Sequence, residues 1–154
     1  VSNVAKDVIK KEMILLQQDA KTKEEVLHYL VETAAENQLI TAQQPFLEAV
    51  LNRESEVPTA IGYQIAIPHG KSSTVSAPFI GFLQTKEDFI WTQGHEEEVK
   101  LIFLIGVPLE NENNIHLKFI SQLSKKLLDE TFRAQLLAIT DVNQAYELLS
   151  SITI

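Results

Sequence analysis

The run Ile65-Ala66-Ile67-Pro68-His69-Gly70-Lys71-Ser72-Ser73 sets a histidine at the mouth of a short apolar strand. Ile65 and Ile67 alternate as a half-buried strand would. Pro68 ends that strand and holds Ile67 extended. Gly70 frees the backbone just after the histidine and is expected to let another molecule approach closely. The imidazole of His69 is thus expected on a rigid element, beside a turn rich in backbone N–H and hydroxyl donors. Such a setting suits a nucleophile or a phosphate carrier. It equally suits a surface histidine beside a proline turn, and the run alone does not separate the two.

Two further residues fit phosphate chemistry. His116 follows Asn113-Asn114-Ile115 and falls in the first turn of a long helical pattern. Helix N-termini offer free N–H groups and partial positive charge to anions. A histidine there either holds a phosphate or simply fills the turn. Arg53 is the only arginine in the first 130 residues, and a guanidinium grips phosphate in a fork. Its plainer reading is an exposed ion pair with Glu54 or Glu56. His28 lies within a helical pattern and reads as a structural or surface residue. His95 sits among Glu96, Glu97 and Glu98, which would repel a phosphate, and reads as solvated. Ser72 and Ser73 are either further donors or turn residues.

Other chemistries find no support. Neither Gly-x-x-x-x-Gly-Lys-Ser/Thr nor Gly-x-Gly-x-x-Gly occurs, so a nucleotide site is unsupported. No Gly-x-Ser-x-Gly occurs, which sets aside a serine hydrolase. No histidine pair has helical metal-ligand spacing, and the carboxylates are scattered.

These residues need elements to position them. Met13 to Leu16 reads as a strand. Thr22 with Glu25 forms a capping box that opens a helix through about Asn37. Thr41 with Gln44 forms a second, opening a shorter helix striped by Phe46, Leu47, Val50 and Leu51. The polar stretch from Arg53 to Pro58 is expected to break regular structure. Strands follow at Ile65 to Ile67, Ala77 to Gln84 and Val99 to Val107, with Phe89 to Trp91 extended between the last two. The Val99 run is almost continuously apolar, as a central strand buried on both faces would be. From Asn113 the period turns helical, Phe132, Leu136 and Leu137 mark another helix, and Asp141 with Gln144 caps a last one. The order β-α-α-β-β-β-α-α-α predicts an α/β fold, a central mixed β-sheet flanked by helices on both faces. Loops at the ends of such strands are where a site would sit.

The 154 residues fit one domain, 1–154, and a hydrophobic share of 45% supports a core. Net charge is −8 with no basic block, so nucleic acid and anionic membrane are poor partners. There are no cysteines, which excludes disulfides and a thiol nucleophile within the chain. No apolar run is long enough to span a bilayer, and the first residues lack the pattern of a signal peptide. A cytoplasmic location is the expectation. The absent initial methionine leaves open a trimmed start or a piece of a longer chain.

Taken together, Arg53-Glu54, Thr59-Ala60-Ile61-Gly62 and Ile65 to Ser72 resemble the enzyme IIA domain of the bacterial sugar phosphotransferase system (PTS), in its type 2 branch of fructose, mannitol and nitrogen-regulatory members. Val99 to Pro108, His116-Leu117 and Leu128-Asp129-Glu130-Thr131-Phe132 are similar to that family too, so the likeness covers nearly the whole chain. Gln64 stands where the family often has glycine. The resemblance implies a phosphotransferase in which His69 takes a phosphoryl group from the phosphohistidine of HPr. It implies transfer onward to a cysteine of a IIB domain, which serves sugar uptake through the membrane unit IIC. His116 and Arg53 would stabilise the phosphate. No metal or cofactor is called for, because the donor is phosphohistidine. Docking is expected on an apolar patch around His69 with acidic residues at its rim. An alternative within the resemblance is a regulatory module that signals through phosphorylation-dependent protein binding. A third is a phospho-inert scaffold, against which the presence of His69, His116 and Arg53 together argues.

Overall fold

A computed structural model describes residues 8–110 and 114–152. Among them are six strands and five helices. The strands are β1 (Ile9–Gln18), β2 (Ala60–Gly62), β3 (Ile65–Ala66), β4 (His69–Lys71), β5 (Phe79–Ile90) and β6 (Glu98–Val107). The helices are α1 (Lys23–Glu36), α2 (Gln43–Glu56), α3 (Ile115–Lys126), α4 (Glu130–Leu137) and α5 (Val142–Ser150). The sheet order is β1-β5-β6-β3-β2, and β4 also pairs with β6. β6 runs parallel to β3 and β4 and antiparallel to β5, while β1 is parallel to β5. The expected mixed sheet is therefore present, with the Val99 strand inside it.

Continuous apolarity in β6 serves two cores at once. Leu101, Phe103, Ile105 and Val107 belong to one cluster with Phe119, Leu123, Phe132, Leu136 and Leu149 from α3, α4 and α5. Ile102 and Leu104 belong to the other, with Leu27, Leu30, Phe46 and Val50 from α1 and α2. Strand side chains alternate between faces, so one strand feeds both layers.

Local details depart from the sequence in instructive ways. Thr22 caps α1, accepting from Glu25 N at 3.1 Å, and Asp141 caps α5, accepting from Gln144 N at 3.0 Å. The capping box at Thr41 and Gln44 does not form. Ala42 is the N-cap of α2 and makes no side-chain cap bond. Thr41 instead donates its N–H to Thr74 O at 2.8 Å, beside the bridge between Ile40 and Val75. A tertiary contact has taken the residue that local sequence offered as a cap. Phe89 belongs to β5, which continues past a register irregularity between Gln84 and Phe89 to end at Ile90. The expected helix start at Asn113 lies outside the described residues.

β2 and β3 form a hairpin whose turn residues Tyr63 and Gln64 have φ of 55° and 65°. Both central residues at positive φ make the primed turn that suits hairpin twist. Gln64 thus occupies a conformation that glycine adopts freely. Its side chain donates to Asp88 Oδ1 at 2.8 Å, and its carbonyl accepts from Lys100 N and Leu101 N.

Candidate functional site

α2 does not stop before Arg53. It runs to Glu56, and Val57, with φ −150° and ψ 128°, ends it. The break expected over Arg53 to Pro58 is confined to its last two residues. Arg53-Glu54-Ser55-Glu56 tolerates a helix, whereas the residue before proline is pushed out of the helical region. Arg53 therefore projects from a last helical turn, not from a loop. Its Nη1 donates to Val57 O at 2.9 Å, a bond that also satisfies a carbonyl at the helix end. Among the described residues neither Glu54 nor Glu56 forms an ion pair with it. Four of the five guanidinium N–H donors are not used by that bond.

His69 opens β4 and is half-buried. Its Nδ1 lies 3.1 Å from Ile67 O. A carbonyl can only accept, so Nδ1 carries the proton and Nε2 keeps its lone pair. The His116 ring comes from the first turn of α3 and lies 5.7 Å from the His69 ring, centroid to centroid, tilted by 33°. Burial lowers the His69 pKa below 6.5; the Ile67 hydrogen bond opposes this, Arg53 lowers it further, and Glu54 and Glu56 raise it. The His116 pKa is also lowered, by burial first and then by the charges of His69 and Lys71. Both rings are thus held toward the neutral form near pH 7, the form in which an imidazole nitrogen attacks.

The fold thus brings His69, His116 and Arg53 into one electrostatic cluster. His28 and His95 lie outside it and are exposed. His28 pairs with Glu32 at 3.1 Å, and His95 N donates to Thr92 O in the β5–β6 turn. Ser72 is a turn residue: its hydroxyl is buried, lies 2.8 Å from Thr74 Oγ1 and accepts from Thr74 N. Ser73 is exposed.

Gly70 plays a different part from the one expected. It is buried, and a Cβ there would lie 2.6 Å from Val50 Cγ2 and 3.2 Å from Val50 N. The close approach that glycine permits is that of α2, not of another molecule. Glycine here lets Arg53's helix pack onto His69's strand.

Two further residues belong to the site without standing out in a local motif. Lys71 lies two positions after His69 on β4, so both occupy one face of the strand, and its charge reaches His116. Alternation along the strand was the signal that could have found it. Glu54 is the second. It is buried at 4% exposure and accepts from Lys23 Nζ, Trp91 Nε1 and Thr59. It is quoted in the Arg53-Glu54 pair that carries the resemblance, but its burial cannot be read locally, because Lys23 and Trp91 come from distant parts of the chain.

The sequence model of a family described as "Phosphoenolpyruvate-dependent sugar phosphotransferase system, EIIA 2" matches residues 7–152. A PTS system fructose-specific EIIA component of Haloferax volcanii is 30% identical over 141 residues, covering 92% of this chain and 91% of that protein. A PTS system fructose-specific EIIABC component of Bacillus subtilis is 36% identical over 131 residues, covering 85% of this chain. The match spans 20% of that longer protein. Among solved structures, enzyme IIA mannitol of Escherichia coli in complex with phosphorylated enzyme IIB mannitol superposes with a TM-score of 0.77 at 27% identity, covering 94% of this chain and 99% of that one.

Proposed function

The chain belongs to the EIIA type 2 family of the phosphoenolpyruvate-dependent sugar phosphotransferase system, and on that premise we propose that His69 is the residue that carries its phosphoryl group. The donor is the phosphohistidine of HPr and the acceptor a cysteine of a IIB domain. Nε2 of His69 attacks phosphorus as the donor's P–N bond breaks, and the freed donor imidazole leaves. Nδ1–H stays on Ile67 O, which stabilises the positive character that the phosphorylated ring acquires. In the second half-reaction the IIB thiolate forms a P–S bond while the P–N bond to His69 breaks. Atoms and charges balance without a further reactant.

Phosphoryl transfer asks a protein for positioning and for stabilisation of charge on the equatorial oxygens. His116 supplies a hydrogen-bond donor on the ring's flank, and Arg53 a permanent cation. At about 4 Å and an effective dielectric of about 20, one cation contributes about 4 kcal/mol per unit charge before desolvation. That holds the group without trapping it. The observation that carries the reading is the pair of imidazoles 5.7 Å apart, one of them with its tautomer set by a backbone carbonyl.

The same face serves donor and acceptor, since each must reach Nε2. Exposed Val57, whose carbonyl accepts from Arg53, and exposed Leu117, next to His116 in sequence, supply apolar surface there. Glu56 adds an acidic neighbour. Fructose or a related sugar is the transported class, in line with the fructose-specific relatives.

Incubation with phosphorylated HPr should place one phosphate on His69, and His69→Gln should take none. Normal labelling of that variant overturns the reading. Offered IIB domains of several sugar classes, the labelled chain should discharge fastest to the fructose class.

A further inference from the structure

Among the described residues Glu54 is the buried titratable group that the phosphoryl chemistry leaves unused. Its Oε2 accepts from Lys23 Nζ at 3.2 Å, Trp91 Nε1 at 3.2 Å and Thr59 N at 3.3 Å, and its Oε1 from the Thr59 hydroxyl. Four donors thus converge on one carboxylate, three of them on Oε2. Lys23 is itself held by Thr92 Oγ1 at 3.0 Å and lies over the Trp91 ring.

What the carboxylate does to Thr59 matters for His69. Thr59 faces Ile67, one step along from the Ala60–Ala66 pair of β2 and β3. Ile67 N donates to Thr59 O at 3.1 Å. In a regular antiparallel pair two such residues exchange both N–H···O bonds. Here the return bond is replaced. The Thr59 N–H goes to Glu54, and the Ile67 carbonyl accepts from His69 Nδ1.

We propose that Glu54 is a positioning residue for phosphoryl transfer: by drawing off the Thr59 amide it reserves the Ile67 carbonyl for the imidazole, and so selects Nε2 of His69 as the attacking nitrogen. This rests on His69 being the phosphoryl acceptor. Lys23 and Trp91 hold the carboxylate in place at the end of the relay. Removing the carboxylate frees the Thr59 amide to compete for Ile67 O, and the ring is then no longer bound to keep its proton on Nδ1.

The test reads the His69 tautomer directly, by 15N NMR of the imidazole above its ordinary pKa of about 6.5. In the parent chain the proton resides on Nδ1. In Glu54→Gln the Nε2–H tautomer should gain population, and transfer from phosphorylated HPr should slow by about 10- to 100-fold, since small misplacements of a reacting group have effects of that order. Should Glu54→Gln fold poorly with Lys23 left unpaired, Lys23→Met with Glu54→Leu removes both buried charges together, an exchange that proteins generally tolerate. Folded variants that lose thermal stability yet keep the parent tautomer and rate overturn the proposal, for Glu54 would then be structural only. The tautomer readout needs no phosphoryl donor. A parent chain that took no phosphate from HPr would therefore overturn the functional reading, whereas an unchanged tautomer in the Glu54 variants overturns only the role given to Glu54.

Discussion

Arg53 and Glu54 are neighbours on the last turn of α2, and the helix sends them to opposite environments. Arg53 is half-exposed, its one hydrogen-bond partner among the described residues is Val57 O, and its charge falls on His69. Glu54 is buried, ion-paired with Lys23 and held by Trp91 and Thr59 as well. The inward side of α2 also carries Phe46 and Val50, which pack onto Gly70. The outward side thus carries a cation with no acidic partner among the described residues, while the inward side commits Phe46, Val50 and Glu54 to the strands beneath it. An uncompensated charge is tolerable at the surface, where water screens it, and costly inside, where it must be paired.

Three experiments test that contrast. The largest effect is expected from Arg53→Ala, which should slow phosphoryl transfer by about 10²-fold, the usual consequence of losing one preorganised charge-stabilising donor. Its unfolding midpoint should move little, because only one hydrogen bond, to Val57 O, is lost. A large drop in stability with unchanged transfer would erase the distinction between the two sides.

Gly70→Ala tests the inward side. The added methyl meets Val50 at 2.6 Å and should destabilise the fold by about 1–3 kcal/mol, as overpacking does. Denaturant titration reads this directly. Were the glycine there for a docking partner instead, the variant would unfold at the parent midpoint and only its transfer rate would fall.

The smallest effect is a pH dependence of stability. His69 and His116 both have folded pKa values below 6.5. Between the folded pKa and 6.5 the unfolded chain binds more protons, so stability rises with pH there. The contribution is complete above about 6.5 and is lost as pH falls through the folded values. Unfolding midpoints from pH 8 down to 5 should decline, and His69→Gln should flatten the slope. A steeper slope in that variant would show that the ring is not held neutral.

Most of the fold is legible in the sequence because its apolar residues repeat at strand and helix periods. The two-faced run from Val99 announces the central strand, and Asp141 announces α5. The parts that resist reading depend on partners far along the chain. Thr41 is a good cap locally, but Thr74 claims it. Glu54 looks like one more acid on an acidic helix end until Lys23 and Trp91 close over it. Strands β2 and β4 have three residues each, too few for periodicity to register, and exist because β3 and β6 lie alongside. At the site, the motif around His69 names the ring, while its acceptor carbonyl and its distance from His116 come only from folding.

Along β6, Ala66 stands opposite Ile102 and His69 opposite Ile105, so β3 and β4 stay in phase although Pro68, lacking an N–H, omits a rung between them. Parity decides which way each side chain turns, and parity survives the gap. The edge behaves as a ruler with one missing tick: its length is what aims the imidazole outward and tucks the glycine under the helix. Adding or removing one residue between Ala66 and His69 would turn the imidazole to the opposite face of the sheet.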